Sequence, residues 1–159
     1  CYRKYIKSKK SNNQVDFSDL LEMCIVMLKE NPQIAAKIHS KYEHFLVDEF
    51  QDMSVGRYEF LKSLIGEYGK TKLYAVGDDW QSVFRFSGSD LSIMTDFSKH
   101  FGFSYEGKLE ETHRFSQEIL DYTSNFIQKN PIQIKKHMFS SKSSEGKKTL
   151  EVSECNPSN

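Results

Sequence analysis

The segment Asp48 to Asp52 (DEFQD) puts three carboxylates into five residues, directly after the short apolar run His44-Phe45-Leu46-Val47. An apolar run that ends abruptly in acids reads as a buried parallel strand. Ligands of parallel sheets bind beyond the carboxyl ends of the strands. Two adjacent carboxylates placed there can divide labour. One carboxylate can hold Mg²⁺, directly or through water, because that ion takes hard oxygen ligands. The other can orient or deprotonate a water for attack on a phosphoryl group. The simpler alternative is an acidic helix start favoured by the helix dipole.

Two further segments carry chemistry. Residues 77–88 (GDDWQSVFRFSG) follow a second apolar run, Lys72 to Val76, and so open on the same sheet edge. Gly77 permits a tight turn, and Gln81 can read a terminal phosphate. Phe84 and Phe86 alternate with Arg85, an arrangement suited to stacking bases and touching phosphate; the alternative is that both rings are core. Residues 109–116 (LEETHRFS) offer Arg114 as a positive charge for a phosphoryl transition state and His113 as a flat ring for a base. A surface His-Arg pair is the alternative. Gly69-Lys70-Thr71 resembles the end of a phosphate-binding loop. That loop needs a Gly five residues before its second Gly, between a strand and a helix. Position 64 is Leu, and the order here is helix then strand, so the match is rejected.

The elements that must position these residues follow from periodicity. Residues 1–13 are basic and polar and read as a helix end or arm. Asp16 or Ser18 caps a helix with Leu20, Leu21, Cys24, Ile25 and Leu28 at helical spacing, stopped by Asn31-Pro32. Ile34, Ile38 and Tyr42 suggest a short second helix. Ser54 caps a third, with Tyr58, Leu61, Leu64 and Ile65 on one face, ended by Gly66 and Gly69. Residues 90–100 read as one helix, residues 103–109 as a third strand, and residues 116–129 as a helix stopped by Asn130-Pro131. The tail from Ser140 is polar and low in complexity. Strands alternating with helices imply an α/β fold with a parallel sheet.

The chain has 159 residues, an amount suited to one domain. No apolar run approaches the roughly 18 residues that span a membrane, and no apolar leader follows the basic start. Three distant cysteines make neither a disulfide framework nor a paired zinc motif, which fits a reducing, cytoplasmic compartment. The net charge of zero hides a pattern. Residues 1–42 carry 8 Lys/Arg against 4 acids, residues 43–121 carry 8 against 15, and residues 122–159 carry 6 against 3. Basic ends flanking an acidic middle argue against a uniformly basic nucleic-acid module and agree with a metal site at the centre.

Taken in order, these segments resemble superfamily 1 DNA helicases of the UvrD/Rep type, and the helicase IV branch in particular. The resemblance is carried by residues 16–21 (DFSDLL), 45–52 (FLVDEFQD), 75–90 (AVGDDWQSVFRFSGSD), 112–116 (THRFS) and 125–131 (NFIQKNP), and it covers about residues 15 to 140. It implies a partial RecA-like, P-loop-NTPase-type parallel sheet with flanking helices. Residues 1–104 would be the later part of the first RecA-like domain, residues 105–140 the opening of the second, and residues 141–159 a polar tail or boundary. It also implies an ATP-driven 3′-to-5′ translocase acting on single-stranded and duplex DNA. Asp48 would coordinate the Mg²⁺ of MgATP, Glu49 would activate the attacking water, and Gln81 would sense the γ-phosphate and couple it to DNA. Phe84 and Phe86 would stack on single-stranded bases, with Arg85 between them. Arg114 would reach the γ-phosphate, and His113 stands beside the adenine where the family often has Tyr. Ser87 replaces an Arg of many relatives, so no DNA or nucleotide contact is assigned to it. No Walker A loop occurs in the 159 residues. The chain is therefore expected to be a fragment, inactive by itself as an ATPase. Two other readings stay open: a helicase-like module that only binds DNA or protein, and a Mg²⁺ nuclease using Asp48, Glu49 and Asp52.

Overall fold

The computed structural model describes residues 1–66 and 71–142. The rejected Gly69-Lys70 match, the helix stop at Gly69 and nearly all of the polar tail lie outside them. The chain forms two compact units, residues 1–100 and residues 101–159, which are described separately.

The first unit opens with helices α1 (Tyr2–Ser11), α2 (Phe17–Glu30) and α3 (Pro32–Lys41). Asp16 is the cap of α2: its carboxylate accepts the Asp19 N–H at 2.9 Å while Asp19 accepts the Asp16 N–H at 2.8 Å. The two orphan donors of the helix start are thus satisfied reciprocally. Lys9 of α1 lies almost buried between the same two carboxylates, 2.8 Å from Asp16 and 2.5 Å from Asp19. The Tyr5 hydroxyl adds a bond to Asp16 at 2.7 Å. Of the helix end or arm expected at the N-terminus, it is the helix that forms, latched to the next one.

This latch gives a pH signature. Hydrogen bonds from Lys9 hold both carboxyls below the usual carboxylate range, and those carboxylates hold Lys9 above the usual lysine range. Depressed acids contribute stability that is full above their unfolded values and is lost as pH falls through the folded ones; a raised Lys contributes stability that is lost as pH rises past its unfolded value. The contribution is thus full between about pH 5 and 10. Chemical unfolding followed against pH should show Lys9→Met less stable than wild type at pH 7. That gap should narrow from about pH 4 downward, and added salt should also reduce it. A gap independent of pH would show that Lys9 acts through packing alone.

Helix α2 packs on α4 (Val55–Ile65), and α3 contacts both. Ser54 caps α4, its hydroxyl accepting the Arg57 N–H, and Gly66 ends it at φ 70°, a conformation suited to glycine. Leu28, Leu61, Phe50, Met53 and Ile93 are the buried apolar residues. Leu20, one of the apolar residues at helical spacing, is half exposed.

Strands β1 (His44–Val47) and β2 (Lys72–Ala75) pair in parallel, His44 with Lys72 through Val47 with Ala75. Phe45, Val47, Leu73 and Ala75 are half-buried on one face, and Leu46 and Tyr74 are exposed on the other. The helix expected over 90–100 is broken into α5 (Ser92–Thr95) and α6 (Phe97–Phe101) at Asp96, which turns out of helical geometry at φ −108° and ψ 33°.

In the second unit the expected strand over 103–109 does not form. Phe103, Tyr105 and Leu109 are almost fully exposed, and residues 103–109 join neither sheet among the described residues. Pairing begins two residues later, between β3 (Glu111–Thr112) and β4 (Phe139–Ser140), again in parallel. Helix α7 (Gln117–Ile127) packs Leu120 inward beside this pair. The described residues thus form an α/β arrangement with two small parallel sheets, one in each unit, rather than one continuous sheet.

Candidate active site

The carboxylate pair is extruded by the way β1 ends. The Val76 N–H donates to the Val47 carbonyl, and the Phe50 N–H donates to the Val76 carbonyl, both at 2.9 Å. Val76, the residue just past the end of β2, therefore pins the chain on both sides of Asp48 and Glu49, and these two bulge out beyond the sheet edge. Glu49 absorbs the bend at φ 51° and ψ 43°. That left-handed conformation costs a side-chain-bearing residue roughly 1–2 kcal/mol and is concentrated at functional sites. Residues 50–52 then form a short turn, with Phe50 buried edge-on against Phe97 at 5.5 Å between centroids. The acidic helix start, the simpler alternative, forms only as the single 3₁₀ turn at 50–52 that follows Glu49, and the α-helix α4 begins later, at Val55.

Asp48 and Glu49 are exposed carboxylates that form no ion pair among the described residues. One Asp48 oxygen accepts the Glu49 N–H at 2.9 Å, leaving the other open to solvent. No group of three or more His, Cys, Asp or Glu residues that could hold a metal occurs among the described residues. Asp48, Glu49 and Asp52 therefore do not make a nuclease-type carboxylate cluster. A single hard carboxylate does fit Mg²⁺ bound through one protein ligand, with waters and phosphate oxygens completing its shell.

Behind the bulge lies Gln51, only 3 % exposed. Its amide nitrogen donates to the Glu49 carboxylate at 2.6 Å, and its carbonyl accepts the Asp78 N–H at 2.9 Å. Asp78 opens the loop after β2 and caps the turn at 79–81 by accepting the Trp80 N–H. Its other carboxylate oxygen accepts from the exposed Gln81 side chain at 2.8 Å. The structure therefore brings Asp48, Glu49 and Gln81 to one edge of the β1–β2 sheet. Gln51 and Asp78, the groups that link them, had no role in the sequence reading. Adjacency to Glu49 was visible there, but a partner 27 residues away was not.

Gly77 makes this closeness possible. A Cβ there would lie 2.8 Å from the Gln51 Oε1 and 3.0 Å from the backbone nitrogens of Phe50 and Gln51. Two of those three neighbours are main chain and cannot swing aside. Gly77→Ala should therefore destabilise the first unit by about 1–3 kcal/mol, the usual cost of overpacking. Denaturant unfolding checks this, and a change within 0.5 kcal/mol (about the noise of a surface substitution) would contradict the contact.

Phe84 and Phe86 follow on the same loop, 45 % and 85 % exposed, with ring centroids 5.9 Å apart. They are not core of this unit. The turn at Arg85–Ser87 presents them, and the Ser87 hydroxyl closes it onto the Phe84 carbonyl at 2.8 Å. Gly88 leaves the turn at φ 90°. The loop returns to the body through Asp90, whose N–H meets the Met53 carbonyl at 2.8 Å. Bonds from Ser92 hold the Asp90 carboxyl below its ordinary range. Ser87 thus serves the turn itself.

His113 and Arg114 belong to the second unit, just past β3, and both are exposed. The Ser141 hydroxyl and the His113 Nδ1 are hydrogen-bonded, which fixes the imidazole next to the end of β4. The Arg114 guanidinium stands 6.0 Å from the Phe115 ring centroid and makes no ion pair among the described residues. Its charge is therefore available to an anion.

Residues 1–102 match the family model of the UvrD/REP helicase N-terminal domain. The chain is 43 % identical over 127 residues to DNA helicase IV of Escherichia coli (strain K12), covering 80 % of this chain and 18 % of that protein. It is 32 % identical over 155 residues to a probable DNA helicase II homolog of Mycoplasma capricolum, covering 98 % of this chain and 21 % of the relative. It is also 32 % identical over 140 residues to the ATP-dependent DNA helicase Rep of Salmonella typhimurium, covering 88 % and 20 %. The chain thus spans about a fifth of the length of these curated relatives. With the matched model extending over most of its residues, the chain belongs to the UvrD/Rep helicase family.

Proposed function

We propose that this chain is part of an ATP-dependent DNA helicase that moves 3′ to 5′ along single-stranded DNA and unwinds duplex. The observation that carries this reading is the extruded Asp48-Glu49 pair, held at the sheet edge beside Gln81 with Glu49 in a left-handed conformation. In this reading residues 1–104 are the later part of a first RecA-like domain, residues 105–140 open a second, and residues 141–159 are a polar tail or boundary. Asp48 would hold Mg²⁺, which supplies charge neutralisation at the phosphates. Glu49 accepts a proton from water as the water oxygen bonds to the γ-phosphorus. The bond from that phosphorus to the β,γ-bridging oxygen breaks, releasing ADP and phosphate. Gln81 reads the γ-phosphate, His113 stacks on the adenine, and Arg114 stabilises the transferring group. Phe84, Arg85 and Phe86 hold the single strand.

Without a phosphate-cradling loop in its sequence, the 159-residue chain has little grip on nucleotide. It is proposed not to turn ATP over alone. The test is ATP hydrolysis by the full-length protein that carries this chain, with and without single-stranded DNA. Stimulated turnover is expected. Retained DNA binding with no turnover would make the protein a binding module instead, and Mg²⁺-dependent strand cleavage without ATP would make it a nuclease.

A further inference from the structure

We propose that Gln51 is a positioning residue that couples the water-activating carboxylate of Glu49 to the phosphate-reading Gln81 through Asp78. The inference rests on the functional reading above. Three short bonds make the connection: Gln51 to Glu49 at 2.6 Å, Asp78 N–H to Gln51 at 2.9 Å, and Gln81 to Asp78 at 2.8 Å. The orientation of the Gln51 amide follows from its surroundings. A backbone N–H can only donate, so the atom facing Asp78 is the carbonyl oxygen. The amide nitrogen is then left to face a carboxylate, which can only accept. Gln51 is almost fully buried and both of its ends are satisfied, so its geometry is fixed rather than averaged over solvent-exposed rotamers.

The consequence is mechanical. Glu49 and Gln81 lie on different loops, and sequence alone does not hold them in register. A water poised for attack must sit within hydrogen-bond reach of the base while the phosphate is read from the other side. A displacement of about 1 Å at such a site costs on the order of 100-fold in rate. The relay ties the two loops together behind the reacting groups. Because Phe84 and Phe86 continue the Gln81 loop, it also ties the base to the aromatic pair.

Two variants separate the arms. Gln51→Glu keeps the acceptor for the Asp78 N–H but removes the donor to Glu49. Gln51→Leu removes both. Both are made in the full-length protein. DNA-stimulated ATP hydrolysis is measured alongside hydrogen–deuterium exchange of the nucleotide-free protein, resolved to the Asp78 amide. Both variants should lose about 10–100-fold in kcat with KM for ATP within threefold. Only Gln51→Leu should speed exchange at Asp78, with α2 and α4 exchanging as in wild type. The proposal is overturned if either folded variant keeps wild-type kcat, or if Gln51→Leu leaves Asp78 exchange unchanged. It is overturned too if the loss is accompanied by faster exchange across α2 and α4, which marks a merely structural role. If Gln51→Leu does not fold, Gln51→Glu decides: wild-type kcat there overturns the coupling. Absent turnover in wild type overturns the functional reading and the coupling with it, whereas wild-type turnover indifferent to Gln51 overturns the coupling alone.

Discussion

Replacing Glu49 with Gln in the full-length protein should lower DNA-stimulated kcat by about 10²–10⁴-fold, the range that a positioned general base contributes. At 1.36 kcal/mol per factor of ten, this is about 2.7–5.4 kcal/mol of barrier. The change is nearly isosteric. The carbonyl of the new amide can accept the Gln51 donor that now lies 2.6 Å from the Glu49 carboxylate, so the bulge keeps its shape. The backbone bonds that pin it, from Val76 to Val47 and from Phe50 to Val76, involve no side chain. KM for ATP should therefore stay within about threefold, because what is lost acts on the water in the transition state and not on ground-state binding. DNA affinity should be unchanged as well. Turnover within fivefold of wild type would remove Glu49 from the role of base and leave Asp48 alone to carry the chemistry of the site.

The elements that position this site were legible in the sequence where local signals and tertiary packing agree. Asp16 and Ser54 are cap residues by chemistry and cap α2 and α4 in the structure. The two apolar runs that end in Asp48 and Gly77 are parallel strands in register. Legibility failed where the deciding partner lies far along the chain. Residues 103–109 have the aromatic alternation of a strand, but they join neither sheet among the described residues. Glu111–Thr112 pair instead with Phe139–Ser140, which carry no strand signature of their own. The break at Asp96 was hidden because Leu91, Met94 and Phe97 keep helical spacing across it. A glutamine beside a carboxylate is ordinary on a surface, so the letter at Gln51 carries no signal of its own. Only its burial and its bond to Asp78 distinguish it. Apolar composition also cannot separate core rings from presented ones, so Phe50 and Phe86 look alike as letters. Only the pinned turn at 50–52 and the open one at 85–87 set one inside and the other out.

That contrast sets the second large effect. Truncating both Phe84 and Phe86 to Ala should weaken single-strand binding by the stacking energy of two bases, about 1–3 kcal/mol each. Together this amounts to roughly 30-fold to 10⁴-fold in dissociation constant. Phe86, 85 % exposed, should account for more of it than Phe84 at 45 %. Their rings are near neighbours, so the double variant should depart from the sum of the singles, as contacting residues do. Neither ring is buried, so unfolding free energy should move by no more than about 0.5 kcal/mol. Salt then separates the two kinds of contact on this loop. Stacking releases no counterions, so the slope of log affinity against log salt should be unchanged in the Phe variants. Arg85→Ala should instead reduce the slope by about 0.7, the value for one phosphate contact on a single strand. Fluorescence anisotropy titrations of a labelled oligonucleotide at several salt concentrations measure both quantities. Phe variants that bind as tightly as wild type would show that the exposed pair meets something other than DNA bases.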